Sequence, residues 1–514
     1  MGVIALRLVD MTASRAGNPS FLRRVLFHFA CVLSLAWPAL INGQPFYFPD
    51  TTAYVRSADI AVYIFSGHRV RTAWTEHYLA AMTKPRVQPG TTPAKAARGN
   101  DLSYGSIMAG RSPYFGALLW GSYVLSLFWL FVLLQAVIAY ALIRLCLRIL
   151  DLQSWRVVAG TVASLALLTT LPFYVGLLMP DLLAAFGMLA FMLLAIDRGR
   201  LDRKERLFLA LLMTVSAISH LTHIWIVIAM AAVLILHVVF RRARWPQYKD
   251  ALAIGAIVIA IGMGSVLVTD LVVQRQFGRE PQLVPLLTAR FLADGPGTAY
   301  LKSHCPGAGF AICAYRDRPP LSAPAFLWAT APGQGIYLLA SPAERAAMAS
   351  QDKAFAWAVL RAYPLQQGVM IVRNSFAQLL RFDSGLLNYR CGSATPCGLA
   401  LPPADRQRLR HSLGGRELWP QYLLATVHYS AAGLAVLLLL AWTVSGRGRF
   451  SAAERDVLLC LAMIVGGMVV NAVLGGAVSE PQNRYQARIV WLLPFIAVLA
   501  AMLWRRRLLI SGDR

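Results

Sequence analysis

Six ionisable residues border apolar segments in a pattern that could bind an anionic substrate and move a proton. They are Asp50, Asp181, His220, His223, Glu480 and Arg484. When the apolar segments are threaded through a bilayer, all six come to the same, non-cytoplasmic face. Ionisable groups at the edge of a membrane are costly and usually serve a function. We therefore expect them to converge on one site.

The two aspartates are the candidates for proton transfer or metal binding. Asp50 follows the first apolar segment almost at once, so the membrane fixes its depth, and its carboxylate could accept a proton from an attacking hydroxyl. Asp181 follows Pro180 at the start of a later apolar segment. Paired carboxylates can divide acid and base roles or share a divalent cation, so the sequence leaves metal binding open. Each aspartate also has a simpler interpretation as a helix cap.

The remaining candidates suit a phosphate or a hydroxyl group. The i, i+3 spacing of His220 and His223 places both imidazoles on one helical face, or else brackets a tight turn. They could bind substrate or metal, or only shape the turn. The guanidinium fork of Arg484 suits phosphate oxygens, and the alternative is that Arg484 and Tyr485 form an interfacial anchor. Four further arginines could add positive charge to this face: Arg56, Arg69, Arg71 and Arg111.

The elements that must position these residues are membrane helices. The chain has 514 residues, of which 57% are hydrophobic and only 14% charged, and its mean hydropathy is +0.55. This balance excludes an ordinary soluble enzyme. Many of the basic residues behind the net charge of +25 sit in short clusters between apolar segments, which is the positive-inside signal. We therefore expect membrane lipids and not nucleic acid as partners.

Ten apolar segments are predicted to cross the membrane, with both termini in the cytoplasm. They are 24–43, 117–148, 156–176, 178–197, 206–220, 222–240, 250–274, 419–444, 456–478 and 485–504. Segment 206–220 is short, which indicates a broken or tilted helix, whereas the first turns of 117–148 should lie along the interface or project beyond it. Frequent arginine and rare lysine are typical of a GC-rich bacterial genome, so we expect the bacterial inner membrane, with the external face in the periplasm.

Two longer stretches interrupt the membrane pattern and are predicted to be external loops. The first covers 44–116 and the second forms a small helical region, whose clearest helix start is the capping sequence Ser341–Glu344. We divide the chain into an N-terminal membrane module (1–274), an external helical region (275–418) and C-terminal membrane helices (419–514).

Four of the seven cysteines lie in the second external stretch: Cys305, Cys313, Cys391 and Cys397. An exported compartment is oxidising, so these cysteines indicate disulfides. Four cysteines allow three connectivities. Local pairing, Cys305 with Cys313 and Cys391 with Cys397, is our prediction.

Taken together, these residues resemble the GT-C class of integral-membrane glycosyltransferases. Members of that class often carry Asp-Ser/Thr-x-x-Tyr after the first helix, which Asp50-Thr51-Thr52-Ala53-Tyr54 matches. They often carry an acidic residue between the third and fourth helices, matched by Asp181, and an Arg-Tyr pair before a late helix, matched by Arg484-Tyr485. The resemblance implies an all-α polytopic membrane fold, with about ten transmembrane helices and two large external loops.

The resemblance also implies a reaction. A sugar would move from a polyprenyl-phosphate-linked donor to a glycan, lipid or protein acceptor at the external face, with Asp50 as general base. Arg484, with His220 or His223, would stabilise the charge on the departing phosphate. The other substrate-binding candidates are Tyr54, Asp181, Glu480 and Tyr485. No nucleotide site is needed, because the phosphate-linked lipid is already the leaving group, and a divalent metal ion stays open.

Other functions stay open as alternatives. A multi-pass transporter would place its ionisable groups near the bilayer midplane, often with repeat symmetry, and this chain shows neither feature. A membrane polysaccharide polymerase or ligase also uses external arginines and a large loop. An acyltransferase asks for a histidine deep in the bundle, for which His428 is the one weak candidate. A scaffold without chemistry is the last alternative.

Overall fold

The computed structural model describes residues 19–83, 111–241, 245–278, 281, 283–318, 322–329, 333–383, 385–389, 400–446 and 450–512. Within these ranges the chain is helical, and its single β-type contact is an isolated parallel bridge between Phe46 and Leu177. The prediction of an all-α fold is confirmed for this part of the chain.

The helices fall into three groups along the chain. The first group is α1 (Pro19–Ser34), α2 (Trp37–Asn42), α3 (Pro49–Phe65), α4 (Ala73–Thr83), α5 (Pro113–Ser126), α6 (Trp129–Ile149), α7 (Trp155–Leu168), α8 (Leu171–Val175), α9 (Asp181–Ala195), α10 (Arg203–Ser219), α11 (Leu221–Arg241) and α12 (Lys249–Phe277). The second is α13 (Leu286–Asp294), α14 (Pro296–His304), α15 (Ala323–Trp328), α16 (Pro342–Ala362), α17 (Pro364–Leu379) and α18 (Pro403–His411). The third is α19 (Gln421–Ser445), α20 (Ala452–Val473), α21 (Asn483–Val490) and α22 (Leu492–Gly512). A π-helical turn, Leu474–Val478, continues α20.

Among the described residues, six helical segments are long and apolar enough to cross a membrane. They are Trp129–Ile149, Leu221–Phe240, Lys249–Gln276, Gln421–Ser445, Ala452–Val478 and Asn483–Leu509. Two further apolar helices, α7 and α9, are shorter. By helix length and composition the chain is therefore a multi-pass membrane protein, and the number of ten crossings stays a prediction.

The long segment 117–148 is two helices, α5 and α6. Leu127 and Phe128 separate them, with φ of 51° and 75°. The Ser122 hydroxyl accepts a hydrogen bond from the backbone N–H of Phe131 at 2.9 Å, so the end of α5 satisfies a donor in the first turn of α6. The short segment 206–220 is one unbroken helix, α10, that starts with a capping box.

Arginines from three of the basic clusters meet acidic partners at one end of the helical bundle. There Arg148 pairs with Glu205 at 2.7 Å, Arg198 with Asp456 at 2.6 Å and Arg507 with Glu454 at 3.2 Å. Helix α9 starts at Asp181 and ends shortly before Arg198, and its 15 residues span about 22 Å. We call the opposite end, where Asp181 lies, the site end.

The region between α12 and α19 has a hydrophobic core of its own. Phe291, Phe326, Tyr337 and Phe355 are buried there, away from the main core of the bundle. Helix α16 starts at Pro342 behind the N-cap Ser341, as its capping sequence predicts. A disulfide joins Cys305 and Cys313, which is the predicted local pairing. The other predicted pair, Cys391 and Cys397, lies outside the described residues.

Candidate active site

The loops that carry the two aspartates are bound directly to each other. Phe46 donates its backbone N–H to Gly176 at 2.9 Å and accepts from Leu178 at 2.9 Å. The Thr51 hydroxyl donates to the carbonyl of Leu178 at 2.9 Å. Gly176 permits the contact, because a Cβ there would lie 3.0 Å from the Phe46 ring. These bonds fix Asp50, beside Thr51, close to the start of α9.

Asp50 is not a helix cap. Phe48 occupies the N-cap position of α3, and the Thr51 hydroxyl accepts its backbone N–H at 3.0 Å. The Asp50 carboxylate pairs with Arg111 at 2.7 Å and with Arg484 at 3.5 Å. The capping interpretation of Asp50 is therefore wrong, and its carboxylate faces two guanidinium groups.

Asp181 is not a cap either, because the N-cap position of α9 is Pro180. One oxygen of its buried carboxylate lies 3.4 Å from Nε of Arg484 and 3.8 Å from Nη1 of Arg488. Arg484 thus bridges the two aspartates. We call Asp50, Arg111, Asp181, Arg484 and Arg488 the charge cluster.

Aromatic rings hold the guanidinium of Arg484 in place. It lies 4.3 Å from the ring centroid of Phe48 and 5.2 Å from that of Tyr485. The backbone carbonyl of Arg484 accepts a hydrogen bond from the hydroxyl of Tyr174 at 3.1 Å. Its Nε and Nη1 atoms are buried and make no hydrogen bond within the described part of the chain. These two atoms face the carboxylates of Asp181 and Asp50, 3.4 Å and 3.5 Å away.

A second layer of polar contacts surrounds Arg488. Its Nη2 atom donates to Oδ1 of Asn471 at 2.5 Å and to the hydroxyl of Thr222 at 3.1 Å. That hydroxyl is 2.8 Å from Nδ1 of His220, so His220 is connected to the charge cluster through Thr222.

The two histidines bracket a turn and do not share one helical face. His220 caps the C-terminus of α10 and His223 lies in the first turn of α11, with their ring centroids 5.3 Å apart. Nδ1 of the buried His223 lies 2.9 Å from the carbonyl oxygen of Ser216. His223 therefore stabilises the turn between α10 and α11, and His220 is the histidine connected to the charge cluster.

The two tyrosine candidates border the charge cluster. Tyr54 is buried and packs edge-on against Phe115, with ring centroids 4.9 Å apart, and burial raises the pKa of its hydroxyl. The ring of Tyr485 lies beside Arg484 and Arg488, and its hydroxyl is 3.2 Å from that of Ser479. Both tyrosine side chains therefore line the site.

Glu480 belongs to a different group of residues. Burial raises the pKa of its carboxyl, and the positive charges that act on it are those of Arg290 and Arg381. Arg290 pairs with Asp294, which also accepts hydrogen bonds from Gln367 at 2.9 Å and Asn374 at 2.8 Å. The expectation that Glu480 joins the other five candidates is not met. It lies at the contact between α13, α17 and the loop that precedes Arg484.

The electrostatics of the charge cluster favour an ionised Asp50. Burial opposes ionisation of Asp50, but the guanidinium groups of Arg111 and Arg484 outweigh it and hold the pKa of the carboxyl below its ordinary value. Within the described residues, three guanidinium groups contact these two carboxylates. Within the described ranges, no group of three or more His, Cys, Asp or Glu side chains is arranged to hold a metal ion.

Sequence reasoning did not single out Arg488, Thr222 or Asn471 as site residues. Arg488 follows Arg484 by four positions, the spacing of side chains on one helical face, and this signal could have identified it. Asn471 is polar within an apolar segment, and its contact with Arg488 gives the reason.

Comparison with models of protein families, with curated proteins and with solved structures finds no match to this chain. The fold and the site define a class in physical terms. It is an all-α, multi-pass membrane protein with a buried cluster of arginines and aspartates at one end of its bundle.

Proposed function

We propose that this chain is an integral-membrane glycosyltransferase with a GT-C-like architecture. It would move a sugar from a polyprenyl-phosphate-linked donor to a glycan, glycolipid or protein acceptor. The observation that carries the proposal is the bridging position of Arg484 between Asp50 and Asp181, 3.5 Å and 3.4 Å away. This arrangement puts a possible base beside a set of phosphate-binding donors.

The topology that goes with this proposal has ten crossings and both termini in the cytoplasm. The site end then faces the periplasm of a bacterial inner membrane, and the two long loops lie on that side. The ion-paired arginines at the opposite end of the bundle support this orientation, because cytoplasmic ends carry an excess of basic residues. A lipid-linked donor would present its phosphate at the depth of the charge cluster.

Arg484 and its neighbours Arg111 and Arg488 would bind the donor phosphate. Their guanidinium groups lie among buried side chains, where charge–charge interactions are stronger than in water. Arg484 would share its donors between the two carboxylates and the phosphate oxygens. The same contacts would strengthen as negative charge builds on the leaving phosphate.

Asp50 would act as the general base. The acceptor hydroxyl attacks the anomeric carbon, its proton passes to Asp50, and the bond from that carbon to the phosphate oxygen breaks. The polyprenyl phosphate leaves with the bonding electrons. A bound phosphate shares the positive charge of Arg111 and Arg484, so the pKa of Asp50 should rise when the donor binds, which makes it a better base.

Asp181, His220 and the tyrosines would position the reacting groups. Asp181 holds Arg484 and Arg488, and His220 acts on Arg488 through Thr222. No step of this scheme needs a metal ion, and comparing turnover with and without EDTA would establish whether a divalent cation takes part.

A membrane polysaccharide polymerase or ligase is the second candidate. The specific observation in its favour is the presence of three arginines in one cluster, enough to bind a diphosphate as well as a monophosphate. The two functions differ in product. A single-sugar transferase adds one residue to its acceptor, whereas a polymerase or ligase transfers a longer glycan.

Complementation of a deletion strain tests the proposal. Surface glycans and glycolipids are profiled by mass spectrometry in strains carrying the unchanged protein, Asp50→Asn or the control Asp151→Asn. Asp151 pairs with Arg200 at the opposite end of the bundle, and its side chain is 59% exposed. We expect the deletion and Asp50→Asn to lack one defined sugar, and Asp151→Asn to restore it at equal membrane level. Full restoration by Asp50→Asn would refute the role of the base, and an unchanged glycan profile in the deletion would refute glycosyl transfer.

A further inference from the structure

Helix α17 turns its polar face towards the protein. Gln367, Asn374 and Gln378 are buried, and the first two donate to Asp294. Gln378 donates to the carbonyl of Gln482 at 2.9 Å and accepts from its backbone N–H at 2.8 Å. The buried side of α17 is therefore held by hydrogen bonds to neighbouring segments.

The opposite face of α17 is apolar and uncovered within the described chain. It consists of Leu365, Val369, Val372, Phe376 and, just past the helix, Leu380, which are between 52% and 78% exposed. We call these five residues the apolar stripe. Their spacing of three or four places them on one side of a helix with about 3.6 residues per turn, away from the buried glutamines. A surface helix in water exposes its polar face and buries its apolar face. A helix in lipid exposes its apolar face and buries its polar face, as α17 does.

Helix α17 lies against two candidate membrane spans. It packs so closely on the π-helical turn after α20 that a Cβ on Gly476 would lie 2.4 Å from the carbonyl oxygen of Asn374. At its other contact, the Tyr429 hydroxyl donates to the carbonyl of Leu380 at 3.0 Å. Tyr429 lies eight residues into α19, about 12 Å along that helix. The C-terminal end of α17 therefore lies beside the third turn of α19, and not beside its first residue.

The surroundings of the apolar stripe continue the surface that lipid would cover. On α20, Val465, Val469 and Val473 form an exposed row. At the end of α16, just before α17 begins, the Arg361 guanidinium lies 5.2 Å from the exposed Trp357 ring. Tryptophan with a basic neighbour is typical of the boundary between membrane and water.

We propose that α17 is inserted into the leaflet at the site end, with its apolar stripe against lipid acyl chains and Trp357 at the level of the headgroups. Sixteen residues span about 24 Å, less than the roughly 30 Å hydrocarbon core, so α17 enters the bilayer without crossing it. Arg373, which is exposed beside the stripe, is long enough to reach the headgroups.

This placement links lipid contact to the charge cluster. Gln378 holds Gln482, which precedes Arg484 by two residues. The helix that contacts acyl chains therefore also fixes the segment from which Arg484 extends. The inference stands on packing and exposure, and it does not depend on glycosyl transfer.

Spin labelling tests the insertion. A keto amino acid at Val372 carries a nitroxide, which leaves the native cysteines untouched, and the protein is placed in nanodiscs of phosphatidylethanolamine and phosphatidylglycerol. Collision rates are measured with oxygen, which concentrates in lipid, and with a water-soluble nickel complex. Val469 on α20 serves as the lipid-facing control, and the exposed Lys353 on α16 as the water-facing control.

We expect the oxygen-to-nickel ratio at Val372 to match that at Val469 and to exceed that at Lys353. A ratio like that at Lys353 would overturn the proposal, because the stripe would then face water. Low collision rates with both reagents would also overturn it, since another protein surface would cover the stripe. A label at Phe376 repeats the measurement on the same face if the Val372 variant does not fold.

Discussion

The Thr51 hydroxyl donates a hydrogen bond to the carbonyl of Leu178, 2.9 Å away in space and 127 residues away in sequence. Thr51 adjoins Asp50, and Leu178 precedes Asp181 by three residues. This one bond therefore sets the spacing of the two carboxylates that Arg484 bridges. The charge cluster depends on backbone contacts of its loops as much as on its own ion pairs.

Removing the charge of Arg484 alone should destabilise the protein more than removing it together with Asp181. Arg484→Gln leaves the buried Asp181 carboxylate with only Arg488, 3.8 Å away, and loss of one partner of a buried pair costs about 3–5 kcal/mol. The double variant Arg484→Gln/Asp181→Asn should regain much of that stability without regaining activity. Thermal unfolding in detergent and product analysis measure the two effects. A double variant less stable than Arg484→Gln would contradict the pairing.

Neutralising Arg111 should raise the pKa of Asp50. The folded pKa lies below the unfolded value of about 3.9, so Asp50 contributes stability at neutral pH that is lost as the pH falls through the folded pKa. Arg111→Gln should therefore move the acidic limb of kcat/KM, and the loss of stability in acid, to higher pH. A pH–rate profile and unfolding scans from about pH 3 to about pH 8 check both shifts.

The control for this shift is Arg200→Gln, which removes the guanidinium paired with Asp151 at the opposite end of the bundle. It should leave the acidic limb in place. An Arg111→Gln profile that coincides with the control would show that Asp50 is not the group that titrates.

Glu480→Gln should keep the transfer activity. Its carboxyl lies with Arg290 and Arg381, apart from the charge cluster, and burial already raises its pKa. Because the folded pKa is raised, ionisation opposes folding as the pH rises, so the glutamine variant should be at least as stable at neutral pH. Initial rates and unfolding midpoints, compared with those of Asp50→Asn, decide this. A loss of activity as deep as that of Asp50→Asn would return Glu480 to the site.

Gly476→Ala should disturb the segment that carries Arg484. The added Cβ would lie 2.4 Å from the carbonyl oxygen of Asn374, so α17 and the π-helical turn must separate, at a cost of about 1–3 kcal/mol. The matched control is Gly433→Ala in α19, where no atom lies within 4 Å of the added Cβ. We expect lower stability and activity for Gly476→Ala and no loss for Gly433→Ala, as measured by unfolding and turnover. Equal behaviour of the two variants would refute the close packing.

Much of the helical framework could be predicted from the sequence. Each of the ten apolar segments contains α-helix, and α16 starts where its capping sequence placed it. Four of the segments are each divided between two helices: 24–43, 117–148, 156–176 and 485–504. The break at Leu127 and Phe128 was not foreseen, because the residues on both sides are equally apolar. Hydropathy reports how apolar a segment is. It does not show that the Ser122 hydroxyl can accept the backbone N–H of Phe131, which a continuous helix would bond to a carbonyl.

The sequence by itself determined part of the composition of the site. The ends of apolar segments must lie near a membrane surface, so Asp50, Asp181, His220 and Arg484 were expected at one face, and the structure brings them to one end of the bundle. Only the tertiary structure decided the partners. In the structure Asp50 pairs with Arg111, and Glu480 lies near Asp294 and its neighbours. The polar face of α17 packs against the protein. These choices follow from the lateral packing of helices that are distant in sequence, which no local spacing of residues encodes.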